Sequence, residues 1–296
     1  MPITENEAIF GLTLSTGPVP AAARFAFQRT DENTDAEGAT FALLGGLEVS
    51  NETVTTGNIA GVAGKLHVCT IAGLTADRDL TLPSANVGER LGVYVADGFD
   101  TYELILKGAA SQTINGGSAA SEWSRVFIAG EVVIFRCIAA NTWIVEYDGR
   151  IAMTFQAGLS ANQTTNSADV WTVVNFDTVA AAPFGQRGGC YDTTNKRAKA
   201  RRAGKWTFTA CVLPYAGVSA GQRYRILFNH SVTGFVGSLD GLQIQTSGVV
   251  AVGGLAHVTG YTMAIDQTME VQFQAQEANR GCAKANYNQF SGHETF

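Results

Sequence analysis

The densest run of chemically capable side chains is Lys196-Arg197-Ala198-Lys199-Ala200-Arg201-Arg202, with Lys205 close behind. Arg197, Lys199 and Arg201 recur at every second position. On an extended strand they share one face, and Ala198 and Ala200 share the other. Three cations on one face make an anion-binding strip, suited to phosphate, sulfate or uronate groups of a cell-surface glycan. The competing reading is a solvated strand, or a strip matched to acidic residues of a neighbouring subunit. Neither reading describes turnover.

The remaining candidates for chemistry are sparse. His67, His230, His257 and His293 share no local window with one another, or with a cysteine, at ligand spacing, so no metal site is expected. Glycoside hydrolysis needs two carboxylates across one cleft. Asp177, Asp192 and Asp240 are candidates, but all three sit in turn-like sequence, where Asp more often ties its own backbone. Neither a G-x-S-x-G elbow nor a glycine-rich phosphate loop occurs. The expectation is a non-enzyme without cofactor. The five cysteines, Cys69, Cys137, Cys190, Cys211 and Cys282, are odd in number and none forms a C-x-x-C. Met1 to Glu7 carries neither a basic nor an apolar stretch, so no secretory leader is expected. Synthesis in a reducing cytosol with free, partly buried thiols follows, a disulfide between two of them staying open.

The elements that must position these residues are strands. A chain of 296 residues has room for two domains. Only 16% of it is charged, while Gly numbers 33, which fits β structure with tight turns. A net charge of −6 argues against a general nucleic-acid binder, and no apolar run approaches the roughly 20 residues of a membrane span. Residues 1–50 read as an extended arm with spaced aromatics. Residues 51–150 read as a small antiparallel β domain, with Arg90–Val95 and Tyr102–Lys107 flanking an Asp97-Gly98 hairpin signal. Asp148-Gly149-Arg150 is the seam. Residues 151–296 carry further alternating strands, including Arg223–Phe228 and Met269–Ala275.

Gly188-Gly189-Cys190-Tyr191-Asp192, a polar tip, the basic strand, then Ala203-Gly204 and Lys205-Trp206-Thr207-Phe208 resembles the start of the C1q/TNF-like jelly roll. The ending Phe290-Ser291-Gly292 resembles its closing strand. The resemblance implies a jelly-roll β-sandwich over residues 151–296 and a homotrimer. It assigns Tyr191, Trp206, Phe208 and Phe290 to core and trimer packing, and Asp192 to tying a turn. His293-Glu294-Thr295 is more polar than the family's end. Three copies of His293 would approach one another, or hold an ion, if the trimer axis ran beside that strand.

Leu80-Thr81-Leu82-Pro83, Gly88-Glu89-Arg90, Thr113-Ile114-Asn115-Gly116, Gly130 to Phe135 and Asn141-Thr142-Trp143 resemble a module of bacteriophage tail-fibre and other virion proteins. Together the resemblances imply an all-β, trimeric structural protein of a tailed-phage virion, a tail or head fibre. Its arm, through Phe10, Phe25 and Phe27, would attach to capsid or tail proteins. Its C-terminal domain would meet a host glycan. The alternatives are a capsid decoration protein, a tailspike depolymerase and a bacterial C1q-like lectin.

Overall fold

The structure is a computed structural model. It describes residues 47–53, 57–97, 102–164, 167–180, 185–215, 224–239, 254–278, 281–284 and 288–296. Phe10, Phe25, Phe27 and Asp240 lie outside the described residues. Every described element is a strand, as the all-β expectation requires. The chain divides between Ile151 and Ala152 into two compact units.

The N-terminal unit runs β1 (Glu48–Thr53), β2 (Ile59–Ala60), β3 (Lys65–Thr70), β4 (Arg78–Leu82), β5 (Arg90–Val95), β6 (Leu104–Gly108), β7 (Thr113–Ile114), β8 (Glu122–Val126), β9 (Val132–Ala139) and β10 (Thr142–Gly149). The six-stranded sheet has the order β1-β3-β5-β9-β10-β7, the four-stranded sheet β2-β4-β6-β8. From β1 to β6 the chain alternates between the sheets. Within each sheet, successive strands are parallel: β1 with β3 and β5, β2 with β4 and β6. This is a short two-sided coil. Only β8 and β9 close it with antiparallel pairing, to β6 and β5, and β10 adds an antiparallel ladder to β9.

The antiparallel domain expected for residues 51–150 is therefore corrected to a mixed one. The physical reason lies at Asp97. It does not open a hairpin, because β5 and β6 belong to different sheets. Its carboxylate instead accepts hydrogen bonds from Ile71 N (2.8 Å) and Ala72 N (3.3 Å), at the corner of the preceding turn. Asp77 accepts Glu103 N, and Asn58 accepts Asp79 N, so polar corner residues tie one turn of the coil to the next. Leu80, Leu82, Leu91, Leu104, Leu106, Val133 and Phe135 are fully buried. On the other face of the six-stranded sheet Leu66, Val68, Tyr94, Val132 and Ile134 form a second apolar cluster.

The motifs read along this segment meet in space. The Trp143 indole N–H donates to Pro83 O (3.0 Å) and Gln112 Oε1 (3.2 Å), and Gln112 Nε2 donates to Asn141 Oδ1 (2.6 Å). Asn115, at φ +50°, accepts Val145 N. Buried Glu131 accepts Phe127 N, Ile128 N and Ile151 N.

The C-terminal unit runs β11 (Thr154–Gly158), β12 (Gln163–Thr164), β13 (Thr172–Val173), β14 (Thr178–Val179), β15 (Tyr191–Asp192), β16 (Arg197–Lys199), β17 (Gly204–Val212), β18 (Pro214–Tyr215), β19 (Tyr224–His230), β20 (Gly234–Leu239), β21 (Gly254–Met263), β22 (Thr268–Ala275), β23 (Gly281–Cys282) and β24 (Gln289–Thr295). One sheet has the order β14-β11-β24-β17-β21. The other has β15-β16-β22-β19-β20, with β13 also on β22, and β12-β23-β18 form a small third sheet. From β11 to β24 the chain crosses repeatedly between the two large antiparallel sheets, which is the jelly-roll path. β17 and β22 alternate buried and partly exposed positions along nearly their whole length.

The inward positions make an aromatic core. Phe290 lies 4.8 Å from Phe155, 5.8 Å from Tyr191 and 5.9 Å from Phe228, centroid to centroid. Trp206 and Phe208 stack at 5.5 Å. Rings at such separations add to the large apolar area each buries. Gly292 is required here, since a Cβ would come within 2.5 Å of Phe155 and 2.7 Å of Phe208.

Candidate functional site

The basic run does not form one strip. Strand β16 ends at Lys199, and the chain then bends through Arg201 to Ala203. Ala198 and Ala200 are buried, as the alternation requires. Arg197 pairs in register with Asp192 on one side and with Glu270 on the other. Lys199 Nζ lies 2.8 Å from Asp266, both side chains largely exposed, an ion pair of the kind that contributes little. Arg201 is a correction. It is only 5% exposed, and its Nη1 donates to Gly188 O, because the bend turns it inward past the end of the strand. The surface keeps Arg197 and Lys199, each facing carboxylates of its own chain.

Arg202 is wholly buried, against Glu294 from the last strand. Its Nε donates to Oε1 at 2.9 Å and its Nη2 to Oε2 at 2.8 Å, a two-pronged pair. Glu294 Oε2 also accepts Met153 N, and the Arg202 guanidinium lies 5.2 Å from the centre of the exposed Phe296 ring. Sequence reasoning missed this pair. The available signal was an acid at an inward position of the closing strand, in phase with Phe290 and Gly292.

The four aromatic residues assigned to packing, Tyr191, Trp206, Phe208 and Phe290, are all core, none more than 4% exposed. The Tyr191 hydroxyl donates to Phe176 O, and burial pushes its pKa up. Asp192 does tie a turn, accepting Thr194 N and Asn195 N. Burial opposes its ionisation, but the Asn195 and Thr194 hydrogen bonds and the Arg197 charge outweigh that and hold its pKa below the ordinary aspartate value. Asp177 accepts Ser160 N and Oγ. These two carboxylates hold loops. His293 and His257 are exposed, and His257 Nδ1 lies 2.9 Å from Thr209 Oγ1. His67 and His230 are buried. Among the described residues no three His, Cys, Asp or Glu side chains gather as a metal site. All five thiols are free.

The outer face of the β15-β16-β22-β19-β20 sheet carries a group that sequence reasoning did not single out. Trp171, beside β13, and Phe235, in β20, come from opposite edges and meet with centroids 5.8 Å apart. Phe235 is 62% exposed and Val170 is 50% exposed. Leu227 occupies an outward position between inward Ile226 and Phe228, yet is 2% exposed. On the same face, Asp169, Arg225, Gln274 and Gln276 line a pocket. Arg225 and Gln274 are register partners, and Gln274 Nε2 donates to Asp169 O at 2.6 Å. The Asp169 carboxylate and Arg225 guanidinium form no ion pair with each other or with any described residue.

No family model matches the chain, and no curated protein matches it. Among solved structures it is similar to Eiger TNF from S. frugiperda, with 11% identity over 49% of this chain and 92% of that one, at a TM-score of 0.32.

Proposed function

We propose that the chain is a homotrimeric structural protein of a tailed bacteriophage virion, a fibre or spike component. It attaches by its N-terminal part and presents the C-terminal jelly roll to a host-surface glycan. The observation that carries this reading is how the C-terminal unit uses its ionisable groups. Asp177 and Asp192 hold turns, Glu294 is closed on Arg202, and the aromatic pair of Trp171 and exposed Phe235 stands on the outer face of one sheet. That division suits recognition. The order of virion-type motifs in the N-terminal unit, gathered around Trp143, supports a particle component.

Sedimentation of the purified chain tests the assembly: a trimer is expected, and a monomer at micromolar concentration overturns it. Antibody labelling of the parent particle in cryo-EM tests the location, with label on a capsid vertex or tail expected. Label on neither overturns the virion reading. Incubation with host envelope glycans separates binding from depolymerisation, retention without shortened chains being the expected result.

A further inference from the structure

We infer that the outer face of the β15-β16-β22-β19-β20 sheet is a binding site for a neutral glycan, with Trp171 and Phe235 as its stacking platform and the Asp169–Arg225 pocket as its hydroxyl-binding end. The inference rests on the recognition role proposed above and names the surface and the sugar class that serve it. It departs from the basic strip, whose cations face carboxylates of their own chain.

A pyranose ring has apolar C–H faces and a rim of hydroxyls that both donate and accept. The site offers both complements. Exposed aromatic area is available at Phe235, and Trp171 meets it, so the platform is preformed. Beside it, a carboxylate, a guanidinium and two amides line one pocket. These planar groups accept or donate two hydrogen bonds at a time, which matches neighbouring hydroxyls. The Gln274 amide donates its N–H to Asp169 O and so fixes the loop that carries Asp169. The charges decide the class of sugar. Asp169 and Arg225 are opposite in sign, share the pocket and do not neutralise each other by contact. A phosphate or sulfate drawn by Arg225 would meet Asp169, whereas a hydroxyl donates to one and accepts from the other. Three copies in a trimer would multiply a weak affinity.

The test is retention of the full chain on a panel of immobilised oligosaccharides, with neutral hexose and N-acetylhexosamine chains beside sulfated and sialylated ones. Neutral chains are expected to retain the protein. Trp171→Ala and Arg225→Ala should each weaken retention by about tenfold or more, as loss of an aromatic or arginine anchor does, while Lys199→Ala leaves it unchanged. Circular dichroism checks that the variants fold, and the exposed-site variant Asp169→Asn carries the same expectation if Trp171→Ala does not. Neutral-glycan retention indifferent to Trp171, Arg225 and Asp169 overturns the site. Retention only on acidic chains, lost in Lys199→Ala, overturns the site and leaves glycan recognition standing. If neither a panel member nor whole host cells hold the protein, the recognition role fails with it.

Discussion

Burying Arg202 and Glu294 takes two full charges out of water, and their two-pronged contact, with the Met153 N–H on Glu294, offsets that penalty. Removing one partner leaves the other uncompensated. Arg202→Met should lower stability by about 3–5 kcal/mol, while Arg202→Met with Glu294→Leu should lie close to the parent or above it. Urea unfolding of the single and double variants measures both, and additive losses would show that the pair is not coupled. At the same scale, Trp143→Phe keeps an aromatic ring but deletes the indole donor to Pro83 O and Gln112 Oε1, for a loss of about 1–3 kcal/mol since Gln112 is fully buried. These two sites show what was legible residue by residue. Tyr191, Asp192, Trp206, Phe208 and Phe290 stood out because their types and order carry a pattern, and the structure finds them in the core or at a turn. Arg201 was misplaced because period-two counting ran on past the end of β16, and nothing local in the sequence marks where a strand stops bonding to its neighbour. The Arg202–Glu294 pair was invisible because its members are far apart in the chain.

The strands themselves were legible, because alternation and turn residues are local signals. The pairing in the N-terminal unit was not. A parallel coil is recognised in sequence by a fixed repeat, and here the step varies: Glu48 pairs with Lys65 but Leu66 with Gly92, and Ile59 with Leu80 but Arg78 with Leu104. An irregular step erases the period while leaving the hydrogen bonding intact. What holds such turns in register is the corner chemistry, so Asp97→Ala should cost about 2 kcal/mol by releasing Ile71 N and Ala72 N from a charged acceptor. A hairpin aspartate would instead be nearly silent, and chemical denaturation distinguishes the two. In the other unit the β15–β16 turn supplies a pH dependence. The folded Asp192 carboxylate titrates below its ordinary value. Its contribution is therefore complete above the unfolded value near pH ~4 and is lost as pH falls through the lower, folded one. Asp192→Asn should remove that part of the acid sensitivity, seen as a shallower fall of the melting temperature below pH ~4.

At the scale of the whole molecule, each unit closes a core of its own, and the cysteines report on both. Cys69 and Cys137 are buried in the first unit, Cys190 and Cys282 in the second, and Cys211 is partly exposed. A thiol reacts as its thiolate, which is already scarce at pH ~7 for an ordinary cysteine. Burial raises the Cys282 pKa and pushes that of Cys190 up to about 12, so in the folded state they are deprived of both access and charge. Labelling at the four buried positions must then wait for unfolding, and its onset measures the stability of the unit that carries each thiol. With increasing denaturant, Cys211 should be alkylated first, in the native protein. Cys69 and Cys137 should then appear together at one midpoint, and Cys190 with Cys282 at another, resolved by peptide mass spectrometry after a short pulse of alkylating agent. The Arg202→Met substitution should move only the second midpoint, since its effect is confined to the jelly roll. Four buried thiols labelled at a single midpoint, or a shift of both midpoints by that one change, would mean that the two units unfold as one. Labelling of Cys190 in native buffer would contradict the closed core itself.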